Sequence, residues 1–98
     1  MPEGWRHVHL QIGGAVQGVG FREFTLRNAR QMGLQGWVRN MPNGTVELEA
    51  EGPDAAMKDF EEKLQKGPRS AKVEKVEALP GASAEDLGEF EIRETPVK

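Results

Sequence analysis

Between residues 14 and 22 the chain runs Gly14-Ala15-Val16-Gln17-Gly18-Val19-Gly20-Phe21-Arg22, a combination suited to holding an anion. Glycines let successive backbone N–H groups converge, and where such a loop feeds a helix the unpaired N–H groups and the positive end of the helix dipole add to the attraction. Arg22 would occupy the first helical turn, where a cation opposes the dipole at a cost of about 0.3 kcal/mol or more. A phosphate seated between loop and guanidinium removes that conflict, and the planar guanidinium can grip two phosphate oxygens at once. A glycine-rich turn can be only a turn and Arg22 only a solvated side chain, so it is their adjacency that points to phosphate. No Gly-Lys-Ser/Thr follows, which excludes a Walker A loop, and Glu23 stands where the dinucleotide fingerprint requires glycine.

Asn40 is the second residue of interest. Asparagine before a turn commonly caps its own backbone, but beside a phosphate pocket its amide can also orient a water, donating with nitrogen or accepting with oxygen. The pocket segments contain no cysteine, serine, aspartate or histidine to accept a phosphoryl group, and Thr25 and Thr45 have no evident base. His7 and His9 share a strand face without further ligands, so no metal site is expected and they are read as exposed strand residues. The Glu47, Glu49, Glu51 row is read as a strand's solvent face.

These residues must be positioned by regular elements. His7 to Ile12 alternates, with Val8, Leu10 and Ile12 inward, which predicts a first strand ahead of the glycine loop. Phe21 to Met32 returns Phe21, Phe24, Ala29 and Met32 at helical spacing, and Gly33 stops the helix. Leu34 to Asn40 predicts a second strand, Pro42-Asn43-Gly44 a tight reversal, and Thr45 to Glu51 a third strand with Val46, Leu48 and Ala50 inward. Gly52-Pro53-Asp54 opens a second helix bearing Ala56, Met57, Phe60 and Leu64, and Gly67-Pro68 ends it. Ala71 to Leu79 predicts a strand whose alternation breaks around Val73 and Val76, as at a bulge. Residues 80–88 are expected to form a loop, and Glu89 to Arg93 a short closing strand with Phe90 and Ile92 inward.

The order β-α-β-β-α-β plus a closing strand predicts a ferredoxin-like α+β sandwich: an antiparallel sheet of four to five strands with two helices on one face. A right-handed crossover through the first helix makes the first two strands parallel and brings their carboxyl ends, with the glycine loop and Asn40, to one edge.

With 98 residues and 37% hydrophobic content the chain closes one core, so residues 1–98 are expected to be a single domain with its core at about 6–94. The absence of cysteine excludes a disulfide framework, thiolate metal sites and cysteine-nucleophile catalysis. No run approaches a membrane span, and the first residues lack a signal peptide's apolar region, so a cytoplasmic location without membrane association is expected. A net charge of −3 argues against backbone-driven nucleic-acid binding. Residues 1–40 hold five basic and two acidic groups, a net +3, while residues 41–98 hold eight and fourteen, a net −6. A bound anion belongs with the first half.

The segment Gly14 to Arg22 and the segment Gly36-Trp37-Val38-Arg39-Asn40-Met41-Pro42-Asn43-Gly44-Thr45-Val46-Glu47 resemble the two signature segments of the acylphosphatase family, at the expected separation and within a matching element order. The resemblance implies a small, metal-independent hydrolase, with no cofactor, that cleaves acyl phosphates to a carboxylate and inorganic phosphate. It places the family's phosphate-binding arginine on Arg22, its water-positioning asparagine on Asn40, and its phosphate loop on Ala15, Val16, Gln17, Gly18, Val19 and Gly20, whose backbone N–H groups are the donors. Asn43 replaces an aspartate frequent in the family and preserves the turn chemistry. A monomer acting on a small acyl phosphate is expected. Two rivals share the scaffold. An RNA-recognition module needs stacking aromatics where this chain places glutamates, and a non-enzymic anion sensor would share the pocket but not turn over.

Overall fold

Each predicted element forms in a computed structural model of the chain, which describes residues 4–80 and 87–97. The elements are β1 (Trp5–Ala15), α1 (Phe21–Gln31), β2 (Gln35–Asn40), β3 (Val46–Pro53), α2 (Asp54–Lys66), β4 (Lys72–Ala78) and β5 (Glu91–Ile92). They build a five-stranded sheet in the order β4-β1-β3-β2-β5. Most of the expected 80–88 loop, residues 81–86, lies outside the described residues.

β1 and β2 each run antiparallel to β3, which lies between them, so they are parallel to each other as the crossover requires. The closing strand departs from the expected antiparallel sheet. β5 pairs parallel with β2, making the sheet mixed, and Arg30 Nε holds it to α1 by donating to Phe90 O at 3.0 Å. Two residues of strand are too short a pattern to fix direction; the packing of Phe90 on Phe60, ring centroids 6.2 Å apart, anchors the segment.

β1 is longer than its alternation predicts, because Gly13 and Gly14 continue the strand against β4. The register shifts there: Gly13 faces Lys75 and Gly14 faces Val73, leaving Glu74 as the extra residue of a bulge within the stretch where alternation breaks. Gly14 has φ 124°, and a Cβ on it would lie 2.2 Å from Lys72 O, so only glycine permits this approach. α1 ends as its sequence predicts. Gly33 is left-handed, Leu34 N donates to Ala29 O at 2.9 Å and Gly33 N to Arg30 O at 3.2 Å, the paired bonds of a Schellman stop.

The core lies between one sheet face and both helices. Leu10, Ile12, Val38, Val46, Leu48 and Ala50 from the strands meet Phe21, Ala29, Met57, Phe60 and Leu64 from the helices, and all are buried.

The other sheet face overturns an expectation. Glu47 and Glu49 do not face water: they are 8% and 1% exposed. Trp37 projects from that face, and the guanidinium carbons of Arg39 and Arg93 sit 4.8 and 5.2 Å from its ring centroid, forming a lid over the strands. Beneath it Trp37 Nε1 donates to Glu49 Oε1 at 3.1 Å, and His7 Nε2 lies 2.9 Å from Glu49 Oε2. Glu47 Oε1 accepts from Arg39 Nε and Nη2 at 3.0 and 2.9 Å, while His9 Nε2 lies 2.6 Å from Glu47 Oε2. His7 and His9, expected to be exposed, are half-buried members of this network.

Burial alone would raise the Glu47 carboxyl's pKa, but the hydrogen bonds from His9 and Arg39, aided by their charge, outweigh it and hold the group below the ordinary value of 4.5. A depressed carboxylate stabilises the fold fully above its unfolded pKa and loses that contribution as pH falls through the folded value. Glu47→Gln should therefore melt below wild type at pH 7, by about 4–8 °C per kcal/mol lost. The gap should narrow as pH falls below about 4.5 and close only as pH passes through the lower folded value, where the wild-type carboxyl becomes as neutral as the amide. Melting curves of both proteins across that window check this, and a gap independent of pH would contradict it.

Candidate active site

Because β1 and β2 are parallel, the loop of residues 16–20 that follows Ala15, the last residue of β1, meets the turn that follows β2 at the same edge of the sheet. The loop then delivers the chain directly into α1, placing the N-terminus of the helix, and Arg22 with it, at that edge.

The loop is fixed from below and open above. Val16 buries its side chain in the core, and its N–H donates to Gly14 O at 3.0 Å. That donor is committed within the loop, so Val16 serves as an anchor rather than as part of an anion cradle. The backbone N–H groups of Gln17, Gly18, Val19 and Gly20 have no backbone acceptor among the described residues. Gly18 and Gly20, at φ 76° and 80°, are left-handed, a region where side-chain-bearing residues are strained. Gly20 is also the N-cap of α1 and provides no side chain to satisfy the helix. The first intrahelical bond runs from Phe24 N to Gly20 O at 3.0 Å, which leaves the preceding helical N–H groups unpaired at the positive end of the dipole.

Arg22 is half-buried in this first turn and forms no ion pair among the described residues. Every other arginine of the first forty residues but Arg27 has a carboxylate within reach: Arg6 faces Asp54, Arg30 faces Glu89 and Arg39 faces Glu47. Arg22 is thus a cation near a cluster of amide donors with no anion to balance it.

Asn40 is the last residue of β2, in register with Val46 and, through it, with Ile12. Alternation puts it on the face of Val38, the face covered by the helices, so it is directed toward the α1 side of the sheet. Its Oδ1 is buried and has no hydrogen-bond partner among the described residues. A buried amide oxygen left unpaired costs about 1–3 kcal/mol, and a catalytic role is one explanation for such a group in a native fold.

The turn after Asn40 is tightly closed. Met41 N donates to Thr45 O at 2.8 Å and Gly44 N to Met41 O at 3.1 Å. Asn43 Oδ1 accepts from Thr45 N at 3.1 Å and from Thr45 Oγ1 at 2.6 Å, the turn chemistry expected of asparagine here. The loop is tied to the turn by Gln17, whose Nε2 donates to Met41 O at 2.9 Å and Thr45 O at 2.8 Å. This side-chain contact is invisible to a reading that uses only the loop's backbone.

Both threonines near the site have their hydroxyls engaged. Thr25 Oγ1 is buried and donates to Phe21 O at 2.9 Å, and Thr45 Oγ1 donates to Asn43 while accepting from Gln11 Nε2 at 3.1 Å. Neither is poised as a nucleophile.

The sequence pattern of the family described as Acylphosphatase matches residues 8–92, a span that includes the loop, Arg22, Asn40 and the turn. The chain belongs to the acylphosphatase family. It is 46% identical over 88 residues to the acylphosphatase of Salinibacter ruber, covering 90% of this chain and 93% of that one. The crystal structure of acylphosphatase from Bacillus subtilis superposes with a TM-score of 0.81 at 37% identity, over 89% of this chain and 97% of that one. An acylphosphatase structure from Coxiella burnetii gives the same TM-score of 0.81 at 35% identity, over 93% and 95% of the two chains. Membership and coverage together make the chain an enzyme of the acylphosphatase type with the family's ferredoxin-like fold. No helix among the described residues is long and apolar enough to cross a membrane.

Proposed function

We propose that the chain hydrolyses acyl phosphates by direct attack of water on a phosphorus held between the 15–20 loop and Arg22. One observation carries the reading. An arginine without a carboxylate partner and a set of unpaired backbone N–H groups share the sheet edge where Asn40 buries an unpartnered amide oxygen.

Seated there, the phosphoryl group has its equatorial oxygens against the N–H groups of residues 17–20 and the first turn of α1. Arg22 spans two of those oxygens as charge develops on them. Asn40 Oδ1 accepts a hydrogen bond from the attacking water and turns a lone pair toward phosphorus, opposite the leaving group. The new bond is water oxygen to phosphorus, and the bond that breaks joins phosphorus to the carboxyl oxygen. The leaving group departs as a carboxylate, whose conjugate acid ionises near pH 4, so it needs no proton from the enzyme. The proton lost by water passes to a phosphoryl oxygen of the substrate. Atoms and charge balance with water as the only co-reactant. Positioning and charge stabilisation do the catalysis, the pattern expected for phosphoryl transfer in general.

The test is release of inorganic phosphate from benzoyl phosphate with EDTA present. Turnover well above the spontaneous rate is expected. A folded protein that binds phosphate but releases none would make the pocket a sensor.

A further inference from the structure

We infer that the side chain of Gln17 is a positioning residue: it sets the phosphate loop at a fixed distance from Asn40 by stapling the loop to the β2–β3 turn. The inference rests on the reading of the site given above.

Both acceptors of Gln17 are backbone carbonyls, Met41 O and Thr45 O. Only the NH2 end of an amide can meet two carbonyl oxygens, so the chemistry fixes the orientation of the side chain. One nitrogen therefore spends both of its protons bridging 24 and 28 residues of sequence to a single turn. Met41 directly follows Asn40, and its own N–H closes the turn on Thr45 O. The staple thus grips the turn beside the residue that bears the water-orienting amide. On the loop side Gln17 follows the buried anchor Val16 and begins the run of N–H groups without backbone acceptors. Nothing else in the described hydrogen bonds joins loop and turn directly. Gln11 reaches the turn from within β1, at Thr45 Oγ1, before the loop starts.

The staple is not needed to form the turn. Without it Met41 O still accepts from Gly44 N, and Thr45 O still accepts from Met41 N. Gln17 is half-buried, so the carbonyls it leaves can take up water. Removing the donors should therefore leave the fold in place and loosen one distance, that between the bound phosphorus and the water held by Asn40. A misplacement of about 1 Å can cost as much as a hundredfold in rate.

Gln17→Met keeps the side chain's length and removes its donors. With benzoyl phosphate as substrate and inorganic phosphate as competitive inhibitor, kcat should fall by about tenfold to a hundredfold. The inhibition constant of phosphate should move by less than about threefold, because the loop N–H groups and Arg22 still hold it. Gln17→Glu, of the same shape but unable to donate, should lose at least as much kcat. A merely structural role predicts a lower melting temperature without this split. Wild-type kcat in folded Gln17→Met overturns the inference, as does an equal loss in kcat and phosphate affinity. A second readout does not require turnover. Hydrogen exchange of the Met41 amide proton should quicken about fivefold or more in Gln17→Met, since the stapled turn opens more readily. Unchanged exchange overturns the staple even if the wild type proves active. A wild type without turnover overturns the proposed activity, and the exchange rate then still decides whether the staple holds the turn.

Discussion

Arg22→Ala should lower kcat/KM for benzoyl phosphate by about a thousandfold or more, the largest effect expected of any single substitution in this chain. Arg22 puts its guanidinium in the first turn of α1, directly after the loop, and it forms no ion pair among the described residues. Of the other arginines in the first forty residues, Arg6, Arg30 and Arg39 are paired with carboxylates, and Arg27 lies more than a turn further along α1. The loss should fall on both binding and rate, because in the proposed reaction the same group meets the phosphoryl oxygens in the bound substrate and more strongly as charge builds on them. KM and the inhibition constant of inorganic phosphate should therefore rise together with the fall in kcat. Arg22→Lys should recover little, since an ammonium cannot span two oxygens in the fork geometry. The substitution removes a half-buried side chain with no ion pair among the described residues, so melting temperature should hold within a few degrees or rise. Steady-state kinetics on folded protein decide the matter; unchanged phosphate affinity would show that Arg22 does not hold the anion.

Asn40→Ala should be nearly as damaging, by about a hundredfold to a thousandfold, but with a different signature. In the proposed reaction Asn40 touches the water and not the phosphate. The fall should appear in kcat, with KM and phosphate inhibition changed by less than about threefold, the pattern of an interaction realised mainly in the transition state. Asn40→Asp is the informative companion, because it keeps an acceptor and adds a negative charge near the phosphate. It should orient water but repel substrate, reversing the signature by raising KM. Stability gives an independent check. Asn40 Oδ1 is buried without a hydrogen-bond partner among the described residues, so its removal should cost little and can stabilise the fold. A loss of several degrees in melting temperature on Asn40→Ala would indicate that the side chain holds structure instead.

The parts of this molecule legible in its sequence are those governed by local rules. Alternation located β1, β3 and β4; glycines stopped both helices; and the break in alternation between Val73 and Val76 marked the bulge that the structure places at Glu74. Arg22 stood out as a cation in a first helical turn; Asn40, an ordinary residue before a turn, gained meaning only from the phosphate loop beside it. What the sequence concealed depends on side chains converging from distant segments. Alternation assigned Glu47 and Glu49 to the right face, but whether that face meets water depends on Trp37, Arg39 and Arg93, which come from β2 and the end of the chain. Charged residues in a strand usually mean solvent, and here they mean a paired layer under an aromatic ring. The donor lost at Val16 and the staple at Gln17 were hidden for a related reason. The first is a backbone bond within an irregular loop, and the second links positions 24 and 28 residues apart. β5 pairs parallel with β2 while its flank is held by α1 and α2, contacts that a two-residue strand cannot reveal.

Whether water attacks phosphorus is read most directly from the fate of isotopic oxygen. Benzoyl phosphate hydrolysed by the wild-type protein in 18O-labelled water, with EDTA present, should yield inorganic phosphate bearing one labelled oxygen and benzoate bearing none. Label in the benzoate would mean attack at the carbonyl carbon and would contradict the roles given to Arg22, Asn40 and the loop.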